Sequence, residues 1–437
     1  MVATERGRDT AGERGPRSDR LGLTVAIAAA LGLAACAANP AGPTGAGTGG
    51  AAPVGTGGTS PSGTGGAPAP AGTGGAGTTL LLGMGGHPFP QNKKPGSCML
   101  TTVASASASV QSAYNAWKST YVTSAGAPGG LRVRRNNNGD DTVSEGIGYG
   151  MIAATYMADR ATLDGLWAYA QAHFDTQGLM TWQISSAGAP IQMGSASDGD
   201  LDMAWALIMA SEQWSSTTYL DAAKKLIFSM RTYSLGSDGL LRPGDGWGAT
   251  TMVNTSYFSP AYFRVFATAT DDPYWSTTVL TRNYDALAAV SGSDGLVPDW
   301  TTNTYALNQG LLMGKFDSGT YSYDACRTPW RIAMDYCFND EPRAKAYLMK
   351  VGAFFNGVGA ANIADGYTLS GTSKGSGDKN MAFIGTAGAA AMSGFPSLLD
   401  GAFSYGVANT AGDYFKDSLR VLTMQFMSGN FLDYTKP

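Results

Sequence analysis

Histidine is scarce in this chain: His87 and His173 are the only two among 437 residues. A zinc centre or a Ser–His–Asp triad is therefore hard to assemble, although one histidine could still serve. Charge is scarce as well. Only 14% of the residues are charged and the net charge is −4, so no basic field invites nucleic acid. What is plentiful is aromatic surface, with 9 Trp and 20 Tyr. Such rings join an apolar body to a polar edge, useful in cores and equally for stacking on sugar rings.

The N-terminus has the layout of an export signal. Arg6, Arg8, Arg14, Arg17 and Arg20 precede an apolar run at 21–35, followed by Cys36. That run is short for a bilayer core of ~30 Å, so it is expected as a signal segment rather than a membrane helix. The stretch "LAAC", Leu33 to Cys36, resembles the bacterial lipobox. Residues 1–36 are therefore expected to be a signal peptide with a lipid-modified Cys36, plain secretion being the alternative. A multi-chain lipid gives stable anchoring. Residues 37–79 are Gly, Thr, Ala, Pro and Ser with "GTGG" recurring. They lack the apolar groups for a core and are expected as a flexible linker. One ordered domain is expected over 80–437. The protein should reach the bacterial envelope or its exterior, act as a monomer, and meet a membrane only through the lipid.

Export permits disulfides. If 324–338 is helical, Cys326 and Cys337 stand ~16 Å apart along the axis, well beyond the Cα separation of about 7 Å that a disulfide allows. Cys98 then pairs with one of them, with Cys337 favoured as the one farther from the acidic residues described below. Three buried free thiols are the alternative.

Within the domain one phrase returns. "QGLMTW" ends at Trp182, "DGLLRPGDGW" at Trp247 and "DGLVPDW" at Trp300, with a fourth echo in "DGYTLSG". Between these glycine turns lie segments with helical apolar spacing. "DLDMAWALIMASEQW" is apolar on two sides, which predicts a buried helix, whereas "TYLDAAKKLIFSMRTY" is amphipathic and belongs outside. A buried helix, a turn and an exposed helix in repetition predict helical hairpins stacked around a ring, an all-α fold. The tryptophan-bearing loops would gather at one end.

Three acidic clusters carry the chemistry. Glu145 lies in "VSEGIGYGMIAA", among Gly146, Gly148 and Gly150. A dinucleotide loop fails here, because Met151 stands where G-x-G-x-x-G needs its last glycine. Thr142 and Glu145 have capping-box spacing, so Glu145 could simply cap a helix. Alternatively, a carboxyl flanked by Val143, Ile147, Tyr149 and Met151 could have a raised pKa, as a general acid requires. Each glycine costs a helix about 1 kcal/mol relative to alanine, which implies that something approaches this backbone closely. In "SASDGDLDMAWAL" a calcium loop fails, since Met203 and Met209 occupy its required glycine and glutamate positions. A helix start capped by Ser197 or Asp198 fits better. In "YSYDACRTPWRIAMDY", Asp324 and Arg327 stand three apart, beside Tyr323, with Pro329 in a first helical turn. The pair is either a plain ion pair or a carboxylate kept ionised to take a proton from water.

These blocks, with "PGDGWG", "NTSYFSPAYFRVF" and "SLRVLTMQFMSGNF" in the same order, resemble glycoside hydrolase family 8, which includes endoglucanases, xylanases, lichenases and chitosanases. The resemblance runs from about "HPFPQN" to the C-terminus. It implies an (α/α)6 barrel and an inverting mechanism. It also implies Glu145 as general acid, Asp324 as general base and Asp198 as the residue holding the sugar at the cleavage point. Tyr257 would help position the water, with Tyr323 and Arg327 at the same subsite. Trp182 and Trp247 match stacking positions, and Tyr414 with Phe415 would add another platform, although the tyrosine-rich segment near the end looks shortened. The expected activity is endo-β-1,4-glucanase on cellulose-type or mixed-linkage β-glucan, with no metal or cofactor. The alternatives are xylan or chitosan as substrate, a non-catalytic polysaccharide-binding surface protein, and a polysaccharide lyase on a similar helical ring.

Overall fold

A computed structural model describes residue 81 and residues 85–247, 252–307 and 319–437. The expected signal peptide, Cys36 and the linker lie outside the described residues. Twelve α-helices appear among those described, in alternating outer and inner positions. The outer set is α1 (Ala106–Tyr121), α3 (Arg160–Ala172), α5 (Thr217–Tyr233), α7 (Leu280–Val290), α9 (Pro342–Val358) and α11 (Pro396–Ala408). The inner set is α2 (Ser144–Tyr156), α4 (Ser197–Gln213), α6 (Pro260–Thr270), α8 (Thr328–Asn339), α10 (Met381–Ala391) and α12 (Tyr414–Met427). Each inner helix packs on the next, and α12 closes the ring on α2. The fold is an (α/α)6 barrel.

Residue pattern decides which layer a helix joins. Every residue of α4 and α10 is buried, and α2 exposes little beyond Glu145. Such all-round apolar helices have no face to offer water. In α5, by contrast, Tyr219, Leu220, Ala223, Leu226, Ile227 and Met230 form one buried stripe while Lys225 is exposed. Helix starts are marked by Asp159, Asn380 and Asp413, whose side chains accept from first-turn N–H groups of α3, α10 and α12. Prolines open α6, α8, α9 and α11. The recurring Gly-Leu turns are also real: Gly178, Gly239 and Gly295 share positive φ values of 78°, 85° and 75°.

The connections at one end of the ring are stiffened by short antiparallel sheets. β1 (Val122–Thr123) pairs with β2 (Arg132–Val133), and β3 (Thr142–Val143) pairs with β4 (Thr181–Ile184), which pairs with β5 (Pro190–Ser195). β6 (Met252–Asn254) pairs with β7 (Trp300–Thr302), placing Asn254 opposite Trp300, and β8 (Thr320–Tyr321) pairs with β9 (Tyr367–Thr368). β3 runs directly into α2, and β8 ends three residues before Asp324. Cys98 and Cys337 form the disulfide, with Cα atoms 5.1 Å apart, and Cys326 stays a buried free thiol. The link joins positions 239 residues apart, a loop for which chain entropy gives on the order of 5 kcal/mol.

Two expectations about the acidic segments need correction. The position before α2 is Val143, with no side-chain cap, because Thr142 is held in β3 and accepts from Arg132. Neither Ser197 nor Asp198 caps α4: Ala196 is the capping position, and Ser197 donates its hydroxyl to the Arg242 carbonyl. The glycines also serve a different neighbour. A Cβ at Gly148 would stand 2.6 Å from the Asp202 Cβ and 3.1 Å from the Gly199 carbonyl oxygen. One at Gly199 would stand 2.7 Å from the Ser144 carbonyl carbon. What approaches the α2 backbone at Gly148 is therefore α4, while Gly146 meets Tyr414 and Val133 and Gly150 meets Leu166, Val133 and Trp117. Gly148→Ala should cost about 1–3 kcal/mol in urea unfolding through overpacking at this crossing. A variant with parental stability would show that the two helices have slack there.

Candidate active site

The N-terminal ends of all six inner helices meet at one end of the ring. α2 brings Glu145 and α4 brings Asp198, while Tyr257 lies in a 3-10 turn just before α6. The turn Ala325–Arg327 before α8 carries Arg327, with Asp324 at its start. Asn380 caps α10, and Tyr414 and Phe415 open α12. Helix N-termini carry partial positive charge, so this end of the ring favours carboxylates.

Arg327 lies at the centre, with a side chain only 2% exposed. Its Nη1 donates to Asp198 Oδ2 at 2.7 Å and also to Glu145 Oε2, and its Nη2 donates to Asp324 Oδ1 at 2.8 Å. One guanidinium thus holds three carboxyl groups. Its fixed fork suits this, as an ammonium would not. The rings of Tyr257 and Phe415 lie 5.5 and 5.7 Å from its central carbon.

Exposure separates the three acids. Glu145 is 17% and Asp324 23% exposed, whereas Asp198 is 2% exposed. Only the first two face open space. Asp198, expected against the sugar, has Oδ1 on the Gly199 N–H at 2.9 Å and Oδ2 on Arg327. Beneath them a further buried pair joins Asp202 Oδ2 to Arg331 Nη2 at 2.8 Å, with the Tyr262 hydroxyl on Asp202.

Burial pushes the Glu145 carboxyl up to about 7. Arg327 opposes that rise, the charge of Asp198 adds to it, the hydrogen bond from Tyr414 lowers it, and the charge of Asp324 raises it. Asp299, just ahead of Trp300, is pushed up to about 8, first by burial and then by the charge of Asp324. Glu145 thus holds its proton close to neutrality. The arrangement pairs a carboxylic acid with a second, arginine-bound carboxyl across one guanidinium, both partly exposed.

The remaining expected residues divide. Tyr257 is buried against Arg327 and Trp300. Tyr323 is half-buried, with its hydroxyl on Asp365 Oδ2 at 3.2 Å and its ring edge-on to Phe383. Trp182 is half-buried in β4; its neighbour Gln183 turns inward to Asp141, which leaves Trp182 on the opposite face. Trp247 ends the turn Asp245–Trp247, tied to β5 by the Ser195 N–H on Asp245 at 2.6 Å; its side chain lies outside the described residues. Tyr414 differs from expectation. It is only 6% exposed and donates its hydroxyl to Glu145 Oε1, so it supports that carboxyl instead of offering a stacking platform. Half-buried Phe415 beside Arg327 is closer to that role.

Sequence reasoning missed Trp300 and Asp299. The indole Nε1–H of Trp300 donates to Asp324 Oδ2 at 2.8 Å. Asp299 Oδ1 accepts from the backbone N–H groups of Ser322 and Ala325 at 2.9 and 2.7 Å. The only signal was the recurrence of "DGLVPDW", which marked a loop and not a partner.

A family model for glycosyl hydrolases family 8 matches residues 88–429. The chain belongs to that family. Endoglucanase A of Acetivibrio thermocellus is 37% identical over 331 residues, covering 72% of this chain and 68% of that protein. Endoglucanase 2 of Ruminiclostridium josui is 35% identical over 367 residues, 79% of this chain and 77% of that one. The apo structure of a β-1,3-1,4-glucanase from Paenibacillus sp. X4 superposes with a TM-score of 0.74 at 32% identity, covering 78% of this chain and 98% of its own. The family is one of glycoside hydrolases, and the protein is such an enzyme.

The charge state of the site is directly testable. In infrared difference spectra between the parent and Glu145→Gln, the Glu145 carboxyl should ionise near pH 7. Ionisation near 4.5 would contradict the buried, charge-crowded setting described here.

Proposed function

We propose that the protein is an inverting endo-β-1,4-glucanase acting on cellulose-type or mixed-linkage β-glucan. The observation that carries this reading is the pair of open carboxyls on one guanidinium, one protonated near neutrality. Glycoside hydrolysis by inversion needs such an acid and base on opposite faces of the sugar, with carboxyl groups about 6.5–9.5 Å apart. Glu145 protonates the glycosidic oxygen as the C1–O bond breaks. Asp324 takes a proton from water as that water attacks C1 from the other face. Arg327 stays charged throughout, so it orients both groups without competing for the proton. Asp198 acts on the same reaction through its charge, which favours the proton on Glu145, and through its grip on Arg327. Tyr257 helps hold the water, and Tyr323, Trp182 and Trp247 supply sugar contacts along the cleft.

The names of the relatives, two endoglucanases and a β-1,3-1,4-glucanase, support β-glucan as the substrate. We further propose that the enzyme is exported as a monomer and tethered by a lipid on Cys36. The geometry suits a tether. The Leu81 N–H donates to Glu212 Oε1 at 2.9 Å, near the end of α4 opposite Asp198. α4 spans about 25 Å at helical rise, so Leu81 is held near the end of α4 remote from the acids.

Reducing ends should appear on carboxymethylcellulose and mixed-linkage β-glucan, with an α-anomer as the first product seen by proton NMR. Reducing ends on xylan or chitosan alone would reassign the substrate, and a β-anomeric first product would remove the inverting mechanism. Glu145→Gln and Asp324→Asn should each lower kcat by about 10³-fold or more, the scale of acid–base catalysis. kcat/KM should fall as pH rises through about 7, because ionising Glu145 removes the donor. A rate that climbs through that range would contradict the assignment. Radiolabelled palmitate incorporation that Cys36→Ser abolishes is expected, and an unlabelled parent would leave plain secretion.

A further inference from the structure

Asp324 is gripped from two sides. Its Oδ1 accepts from Arg327 Nη2 at 2.8 Å, and its Oδ2 accepts from the Trp300 indole N–H at 2.8 Å. The backbone that carries it is held as well, since the N–H groups of Ser322 and Ala325 both converge on Asp299 Oδ1. Asp299 and Trp300 are chain neighbours at the start of β7. That strand is fixed by pairing Asn254 with Trp300 and by the Asp299 N–H on the Thr320 carbonyl at 2.8 Å. Trp300 is 7% exposed, and its ring packs edge-on to Tyr257 at 6.4 Å. One dipeptide thus fixes both the turn and the carboxyl plane of Asp324.

We propose that Trp300 is a positioning residue for the general base: its indole N–H locks the Asp324 carboxyl plane and stabilises the ionised form, while Asp299 locks the turn beneath. The proposal rests on Asp324 being the base. The chemistry explains why an indole stands there. A carboxylate oxygen accepts two hydrogen bonds, so one donor on each leaves one lone pair on each for water. An indole N–H is a donor only and does not titrate, so it cannot take the proton that Asp324 must receive. A histidine or tyrosine at this place could exchange protons with the base. The charged and titratable groups around Asp324 are Arg327, Asp299, Glu145, Tyr257 and the Cys326 thiol, with Asp198 beyond Arg327. Arg327 is already shared with two other acids, which leaves Trp300 as a donor that Asp324 does not divide with Glu145 or Asp198.

Trp300→Phe removes the donor while keeping an aromatic, though smaller, ring against Tyr257. We expect kcat to fall about 10- to 100-fold with KM changed less than about twofold, the signature of a misplaced catalytic group. The acidic limb of the pH–rate profile should move to higher pH, because a carboxylate that loses a donor holds its proton more tightly. A packing role alone would not move that limb. Parental kcat with an unmoved limb would overturn the proposal. Asp324→Asn, assayed in parallel, tests the underlying reading separately: normal turnover in that variant would remove the base itself. Should Trp300→Phe fail to fold, the parent still decides. In protein labelled with 15N-tryptophan, the Trp300 indole N–H resonance should shift across the acidic limb, and that shift should vanish in Asp324→Asn. A resonance indifferent to pH there would equally overturn the assignment.

Discussion

One buried cation for three carboxyl groups is the constraint on which this end of the molecule depends. Arg327 donates to Glu145, Asp198 and Asp324 at once. Three ionised carboxylates around a single guanidinium would leave excess negative charge in a poorly hydrated place, and such charge is relieved by binding a proton. Exposure and partners decide where that proton sits. Asp198 has a backbone N–H besides Arg327, and Asp324 has an indole N–H. Glu145 has the Tyr414 hydroxyl, but burial, joined by the charges of Asp198 and Asp324, outweighs it and Arg327, and its affinity for a proton rises. The proton thus settles on Glu145 through burial first and crowding second, and the cation that opposes that rise also holds Asp324.

The barrel exists around this arrangement in a concrete sense. A ring of parallel inner helices delivers six N-termini to one end, and their partial charges favour the acids there. For Glu145 and Asp198 to reach the same nitrogen, α2 and α4 must cross closely, which Gly148 and Gly199 permit. Short sheets then fix the connections: β3 leads into Glu145, β7 carries Trp300, and β8 leads towards Asp324. A buried charge cluster contributes little net stability and is costly to break, by about 3–5 kcal/mol when one partner is removed. Its retention here fits a catalytic purpose better than a structural one.

Much of this was legible in the sequence because local pattern controls it. Helices apolar all round and helices apolar on one side announced two layers, and the Gly-Leu turns recurred at positive φ. Helical rise excluded a Cys326–Cys337 bridge, and distance from the acids favoured Cys337, which is the cysteine that pairs with Cys98. The spacing of Asp324 and Arg327 announced their contact, but nothing local could show that Arg327 also reaches residues 129 and 182 positions away. The capping spacing of Thr142 and Glu145 misled, because strand pairing claimed Thr142. The glycines after Glu145 correctly signalled close approach without revealing the neighbours: α4 at Gly148, Tyr414 and Val133 at Gly146, and Leu166, Val133 and Trp117 at Gly150. Tyr414 and Trp300 were hardest to place, since a hydrogen bond from each to an acid on another segment leaves no local pattern.

Arg327 restrains the proton affinity of Glu145 while burial raises it. The most direct measurement is the infrared titration of the Glu145 carboxyl in folded Arg327→Met. With the cation gone, burial and the two neighbouring acids are opposed by the weaker Tyr414 hydrogen bond, and Glu145 should ionise at a pH well above its value of about 7 in the parent. Ionisation at the parental pH, or below it, would contradict the claim that this one guanidinium governs the site.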